Sequence, residues 1–153
     1  MPRHSEKRRL PYPPEVLYAI VADVDRYPEF LPWILTANIL KKTDKGFIAD
    51  LTVGYKFFQE TYRSEVMLTP PSRVDIRYMK GPFKHLENYW IFNPAPGNTV
   101  QVDFFIDFEF QSSFFQDMIQ SVFTSAVSKM ITAFETRASF LSRNHSLKIP
   151  TLP

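Results

Sequence analysis

The chain has 153 residues, a net charge of +2 and no cysteine. It is long enough to bury a hydrophobic core without disulfides, and it cannot use a thiolate as a nucleophile or as a metal ligand. No stretch approaches the roughly 20 consecutive apolar residues of a membrane span, and no signal-peptide apolar segment is present. We expect one soluble, cytoplasmic domain over residues 1–153, with peripheral contact to the inner face of a membrane as an open alternative.

The N-terminal part predicts one strand and two short helices. Residues 3–10 are polar and basic, as in an edge strand whose charges oppose unwanted pairing. Pro14 suits the first turn of a helix that extends to about Ala22. Residues 23–32 form a corner interrupted by prolines, and a second short helix fits within it.

From residue 34 onwards the hydrophobic period changes from helical to alternating. Residues 41–46 and 93–98 have the composition of turns, and residues 79–84 are expected to form a loop. The alternating runs predict six further strands at 34–40, 47–53, 56–68, 74–78, 86–92 and 100–110.

Residues 113–143 predict one long amphipathic helix. Apolar side chains recur at steps of three and four residues from Phe115 to Leu141. Ser113 and Gln116 have the spacing of a capping box, in which each side chain bonds a backbone N–H at the helix start. Because a twisted antiparallel sheet can curl around such a helix, we expect an α+β fold that encloses a space between the two.

Several motifs follow one another in a set order along nearly the whole chain. They are Leu-Pro-Tyr-Pro-Pro-Glu at 10–15, Val-Asp-Arg-Tyr-Pro-Glu-Phe-Leu-Pro-Trp at 24–33, Gly-Pro-Phe at 81–83, then Leu86, Trp90 and Phe92, Asp-Phe-Glu-Phe at 107–110, and Ala-Phe-Glu at 133–135 with Arg137. This order resembles the coenzyme Q-binding START-like family of the polyketide cyclase/START superfamily. The motifs at 24–33 and 81–83 are specific in combination.

The resemblance implies a helix-grip fold, in which a curved antiparallel sheet of six to seven strands wraps around a long C-terminal helix, with a short helical corner after the first strand. It also implies non-enzymatic binding of ubiquinone or a related isoprenoid lipid in an apolar tunnel, in support of respiratory quinone function or delivery. Two branches provide alternatives. The bacterial ribosome-association toxins act on the large ribosomal subunit, and the polyketide aromatases and cyclases are enzymes.

The sequence contains no set of residues typical of catalysis or of a metal site. His4, His85 and His145 lack metal-ligand spacing, and the four glycines form no phosphate-binding loop. We therefore expect no enzymatic activity, no metal and no cofactor, with ubiquinone as a bound ligand. An aromatase would need an ionisable group inside the cavity, and Glu60 and Arg77 are the candidates.

Ligand-binding residues are expected on the faces that enclose the space. Tyr62, Asn88 and Trp90 carry hydrogen-bond donors for quinone carbonyls, provided that their strand faces point inward. Apolar walls suffice for the tail, since each buried methylene gains about 0.8 kcal/mol. The same pattern fits ordinary core equally well. The predicted wall residues are Phe104, Ile106, Phe108, Val122, Ala126 and Met130.

The loop around Phe83 is the predicted tunnel mouth or membrane contact. Lys80 and Lys84 flank Phe83, so its ring can enter a lipid interface while the charges meet anionic headgroups. Leu31 and Trp33 are expected to join this surface. In the alternative, Phe83 folds back over the tunnel mouth.

Basic residues near the N-terminus are the sequence support for the ribosomal alternative. Arg3, Lys7, Arg8 and Arg9 form a cluster of positive charge that suits an RNA partner. The oligomeric state is left open by the sequence.

Overall fold

The computed structural model describes residues 3–55 and 58–144, with side chains placed to residue 142. These residues form seven strands, three α-helices and one 3-10 helix. The helices are α1 Pro14–Ala22, the 3-10 helix Val24–Glu29, α2 Ser113–Gln120 and α3 Phe123–Asn144. The strands are β1 Arg3–Leu10, β2 Ile34–Lys42, β3 Gly46–Tyr55, β4 Phe58–Thr69, β5 Arg73–Lys80, β6 Phe83–Ala95 and β7 Thr99–Phe110.

The strands form one antiparallel sheet in the order β1-β7-β6-β5-β4-β3-β2, and the helices cover one face of it. The predicted α+β helix-grip fold is confirmed. Most strands are longer than predicted, because pairing continues into residues that read as turns: β6 pairs with β7 from Phe83 to Ala95. The described part of β4 begins at Phe58, so Lys56 and Phe57 of the predicted strand lie outside the described residues.

The core lies between the concave face of the sheet and the helices. Alternate residues of β7 are buried, as expected for a strand with one face on the core. Along α3 the buried side chains are spaced by three and four residues, which is the period of a helix face. Each large member contributes about 1.5–3 kcal/mol on burial. The buried row on α3 consists of Phe123, Val127, Ile131, Phe134 and Ala138.

The prediction of one unbroken helix over 113–143 is wrong, because Ser121 and Val122 separate α2 from α3. At the break the Val122 N–H donates to the Ile119 carbonyl at 3.0 Å. The Ser121 hydroxyl donates to the Met118 carbonyl, also at 3.0 Å. These local bonds satisfy the last carbonyls of α2 and end its α-helical hydrogen-bond pattern.

The predicted capping box of Ser113 and Gln116 is also wrong. Ser112 caps α2, since its hydroxyl accepts a hydrogen bond from the Phe115 N–H at 3.3 Å. The Gln116 side-chain oxygen accepts from the Phe110 N–H at 2.8 Å, so it ties α2 to the end of β7. Two neighbouring serines are equally suitable cap residues, which is why the spacing placed the cap one residue too late.

Only Gly81 and Pro82 connect β5 to β6, so the predicted loop at 79–84 is shorter than expected. Gly81 has a φ of +148°, which favours glycine, and a Cβ at this position would lie 2.6 Å from the Tyr62 Cβ. The Tyr78 hydroxyl accepts from the Phe83 N–H and donates to the Phe83 carbonyl, each at 3.1 Å. These bonds hold Phe83 at the start of β6.

The corner after α1 is confirmed as a short helix, and it is fastened to both neighbouring helices. The Tyr27 hydroxyl donates to the Val21 carbonyl of α1. Arg137 on α3 pairs with Glu29 at 2.6 Å and lies 5.0 Å from the centre of the Phe30 ring. The residues that follow the corner are thereby held against α3.

Candidate ligand-binding cavity

An internal cavity lies between the concave face of the sheet and the helices. It has two chambers, an outer chamber of about 240 Å³ and an inner chamber of about 110 Å³. The two chambers adjoin, because the same residues contribute to the walls of both. These shared residues are Leu31, Ile34, Tyr62, Asn88, Ile106 and Met130.

The outer chamber is lined by aromatic and aliphatic side chains from both layers. One end is formed by Trp33, by Gly54 and Tyr55 at the tip of the β3–β4 hairpin, and by Ile119 and Val122 beside the helix break. These residues lie at one end of the sheet, and we call this end of the outer chamber the mouth. The sheet contributes Phe58, Phe83, Phe108 and Phe110 to its walls.

The inner chamber lies deeper and includes more polar side chains. Tyr27, Ser64 and Trp90 line it together with Phe104 and Phe134. Ser64 is 1% exposed and is the one polar residue among the fully buried residues that the structure describes. The cavity therefore becomes more polar away from the mouth.

All nine predicted ligand-binding residues lie in the walls of these chambers, and the inward orientation assumed for their strands is observed. Those that line both chambers are Tyr62, Asn88, Ile106 and Met130. Those of the outer chamber alone are Phe108, Val122 and Ala126, and those of the inner chamber alone are Trp90 and Phe104. Contact of these residues with a ligand stays a prediction.

The residues predicted at the tunnel mouth divide into two groups. Leu31, Trp33 and Phe83 line the outer chamber, whereas Lys80 and Lys84 are exposed and line neither chamber. The prediction that Phe83 and Leu31 insert into a membrane is wrong, because their side chains are only 7% and 2% exposed. Phe83 instead folds back into the cavity wall, as in the alternative. Its ring stacks on a neighbouring aromatic ring with centroids 4.7 Å apart.

Several wall residues were missed by sequence reasoning. Phe58 and Ser64 lie on the same face of β4 as Tyr62, so the two-residue period could have identified both. Serine in a strand suggests a solvated face, which hid Ser64. Tyr27 and Phe134 reach the inner chamber from the corner and from α3, and no sequence period relates those elements to the sheet.

The walls of both chambers are free of charge. Among the described residues, no Asp, Glu, Lys, Arg or His side chain lines either chamber. Burial raises the pKa of Tyr62 to about 12, so its hydroxyl remains protonated and able to donate. Burial also raises the pKa of Tyr27.

Neither ionisable candidate for an aromatase lies in the walls. Arg77 is on the outer face of the sheet, where it pairs with Glu65 at 2.6 Å, and Glu60 lines neither chamber. Within residues 3–55 and 58–144, no three His, Asp or Glu side chains are placed to hold a metal ion, and no helix is long and apolar enough to cross a bilayer. His145 lies outside the described residues.

A larger groove of about 510 Å³ lies on the surface between α1, the corner and the end of α3. Its charged residues pair with one another: Arg26 with Asp23 at 3.3 Å and with Glu29 at 3.1 Å, and Arg137 with Glu29. Partial desolvation in the groove and the neighbouring Asp25 carboxyl raise the pKa of Asp23 to about 6, whereas the hydrogen bond from Arg137 lowers the pKa of Glu29. Because the groove is open and its charges are paired internally, the internal cavity is the better candidate site.

Residues 10–135 match the family model described as polyketide cyclase / dehydrase and lipid transport. The chain belongs to this family. The ribosome association toxin RatA of Rickettsia prowazekii (strain Madrid E) is 38% identical over 133 residues, which cover 84% of this chain and 90% of the toxin. The mitochondrial coenzyme Q-binding protein COQ10 of Drosophila melanogaster is 32% identical over 135 residues, which cover 86% of this chain and 56% of that protein.

Among solved structures, the Zhui aromatase/cyclase from Streptomyces sp. R1128 superposes with a TM-score of 0.81. The superposition covers 96% of this chain and 98% of the cyclase chain. Its sequence identity is 16%, so the likeness shows the fold alone. The resemblance inferred from the motifs is confirmed at the level of the family. Since relatives are named for a lipid ligand and for the ribosome, the choice between functions depends on the site.

Proposed function

We propose that this protein binds ubiquinone or a related isoprenoid lipid in the internal cavity and supports respiratory quinone function or delivery without catalysing a reaction. The observation that carries the proposal is the pair of adjoining chambers, which have mostly apolar walls and no Asp, Glu, Lys, Arg or His side chain among the described residues. Such walls suit an uncharged lipid, because a charged ligand would leave its ionic group buried and unpaired. The coenzyme Q-binding relative supports the same ligand class.

The size of the cavity indicates which part of the lipid enters. The chambers, of about 240 Å³ and about 110 Å³, are together at the lower end of the roughly 300–1,000 Å³ that is typical of ligand pockets. A substituted quinone ring fills most of this space. The isoprenoid tail therefore leaves through the mouth beside Trp33 and Tyr55, where a membrane enzyme or a bilayer can receive it.

The same walls argue against the aromatase alternative. General acid–base catalysis is most efficient with a side chain whose pKa lies near the working pH. The chambers offer tyrosine, serine, asparagine and tryptophan, none of which is ionised near neutral pH.

The direct test is organic extraction of freshly purified protein followed by mass spectrometry, with an unrelated basic protein of similar size prepared in parallel. We expect a stoichiometric isoprenoid quinone that is absent from the control. An empty extract, combined with no uptake when a short-tailed quinone is offered to the purified protein, would contradict the proposal.

A second candidate, association with the large ribosomal subunit, is favoured by the RatA relative. The predicted N-terminal cluster is partly neutralised, since Arg3 pairs with Asp107 and Arg8 with Glu6. Lys41 and Lys42, at the exposed end of β2, are better placed to contact phosphates.

The ribosomal candidate predicts co-sedimentation with large subunits that persists at physiological salt. Exchange of Lys41→Glu together with Lys42→Glu should abolish it and leave quinone uptake unchanged. Loss of the wild-type interaction at modest salt would identify it as nonspecific charge attraction.

A further inference from the structure

Ser64 carries a buried hydroxyl group in the wall of the inner chamber. It follows Tyr62 by two residues on β4, so both side chains lie on the concave face of the sheet. Ser64 is 1% exposed, and none of the residues that the structure describes forms a hydrogen bond with its hydroxyl. Because buried polar groups in folded proteins are nearly always hydrogen-bonded, this hydroxyl needs a partner from the contents of the chamber.

The neighbouring strands explain why the sheet supplies no partner. In the sheet register, Ser64 lies opposite Ala49 on β3 and opposite Tyr78 on β5. Ala49 has no polar side-chain atom. The Tyr78 hydroxyl is already engaged, since it accepts from the Phe83 N–H and donates to the Phe83 carbonyl.

The other polar side chains of the inner chamber have partners of their own. The Tyr27 hydroxyl donates to the Val21 carbonyl, and the Asn88 amide nitrogen donates to the Phe105 carbonyl at 2.8 Å. A ligand atom that reaches Ser64 therefore meets its hydroxyl in mainly apolar surroundings, where a hydrogen bond is stronger than in water. The apolar residues of this chamber include Leu51, Val66, Val74, Phe104 and Phe134.

We propose that Ser64 is a specificity-determining residue, which donates a hydrogen bond to an acceptor oxygen on the end of the lipid that enters first. This inference rests on the proposed function and narrows the ligand class to lipids whose head carries such an oxygen, as a quinone does. An isoprenoid hydrocarbon of similar shape leaves the hydroxyl unpaired. Since Ser64 lines the inner chamber and not the outer one, the head enters before the tail.

Ser64→Ala removes this one oxygen atom from the chamber wall. Loss of one neutral hydrogen bond should weaken the binding of decylubiquinone, a short-tailed quinone, by about 3- to 10-fold. Decylpentamethylbenzene has the same tail and carries methyl groups in place of the oxygen substituents, so its affinities for the variant and the wild type should agree within about twofold. Comparison of each ligand between the two proteins cancels the difference in solubility between the ligands.

The test is a titration of the full chain and its variants with both ligands. Fluorescence quenching reports binding of the quinone, because the two tryptophans, Trp33 and Trp90, line the outer and inner chambers. The hydrocarbon is measured by its displacement of the quinone. Ser5→Ala is the matched control, since Ser5 is exposed on β1 and lines neither chamber, and it should bind both ligands as the wild type does.

Two further measurements distinguish a ligand contact from a structural role of Ser64. The carbonyl stretching band of bound decylubiquinone should lie at lower wavenumber in the wild type than in Ser64→Ala, because a hydrogen bond weakens the C=O bond. The melting temperature of ligand-free Ser64→Ala should be no lower than that of the wild type, because an unpaired buried hydroxyl does not stabilise the fold.

The outcomes separate the two proposals. If neither ligand binds the wild type, the proposed function fails. If both bind, and Ser64→Ala changes neither the affinity for the quinone nor its carbonyl band, the proposed function stands and the role of Ser64 is refuted. Equal weakening of both ligands together with a lower melting temperature would assign Ser64 to the fold and refute its role in specificity as well.

Discussion

Filling the outer chamber with a protein side chain should abolish ligand binding without loss of the fold. Ala126 is half-buried on α3 and its small side chain forms part of the chamber wall. Ala126→Phe adds a six-carbon ring to the wall of a chamber of about 240 Å³. The quinone ring and the new phenyl ring then compete for one space.

Ala126→Phe should weaken ligand binding and stabilise the fold. Exclusion of about six ligand carbon atoms removes about 4–5 kcal/mol of apolar burial, so quinone affinity should fall by at least 100-fold. Filling the chamber should stabilise the fold by about 1–2 kcal/mol, which corresponds to a melting temperature higher by about 2–8 °C. Quinone titration and thermal melting of the ligand-free protein measure the two quantities on the same sample.

Ala19 is the matched control, since it is an exposed alanine on α1 that lines neither chamber. Ala19→Phe should leave quinone affinity unchanged. Wild-type affinity in Ala126→Phe would show that the ligand does not occupy the outer chamber. A marked fall in its melting temperature would show that the chamber has no room for the added ring.

Phe134 is 2% exposed and contacts other aromatic rings, so Phe134→Ala should lower the free energy of unfolding in urea by about 3–5 kcal/mol. Phe140 is 46% exposed, so the control Phe140→Ala should lower it far less. Partial desolvation and the neighbouring Asp25 carboxyl raise the pKa of Asp23 in the folded state to about 6, above its ordinary value of 3.8. This group should therefore lower stability as pH rises from about 4 to about 6, and Asp23→Asn should flatten that part of the melting profile. Gly81→Ala should destabilise the fold by well over about 1 kcal/mol, because backbone strain and a close contact coincide there. Gly97 has a φ of +76° and open space around it, so Gly97→Ala measures the backbone strain alone and should cost about 1 kcal/mol.

Alternation along the strands predicted which side chains face the cavity. The two-residue period predicts inward faces for Tyr62, Asn88 and Trp90, provided that the strand register holds. The structure has all three in the chamber walls. What alternation does not determine is the direction of a polar group within its side chain. The amide of Asn88 is oriented by the Phe105 carbonyl, which belongs to a different strand.

The helix break and the position of Phe83 depended on contacts between distant segments. The apolar period continues through Ser121, so it indicates one helix, yet Gln116 bonds to the end of β7 and holds α2 there. Phe83 lies between exposed lysine-rich ends of two strands, which suggests a surface residue. The Tyr78 hydroxyl bonds to the backbone of Phe83, and the Phe83 ring packs against the Tyr78 ring.

The sequence by itself determined the order of elements, the sheet with its two faces, the helix that the sheet wraps around and the family, because hydrophobic period, prolines and motifs are local properties of the chain. Only the tertiary structure decided that space remains between sheet and helix. A core face and a cavity wall have the same period, and the difference between them is how closely Ala126 and Met130 approach the opposite strands. That distance is set by the packing of all the surrounding side chains together, and no single segment of the sequence contains it.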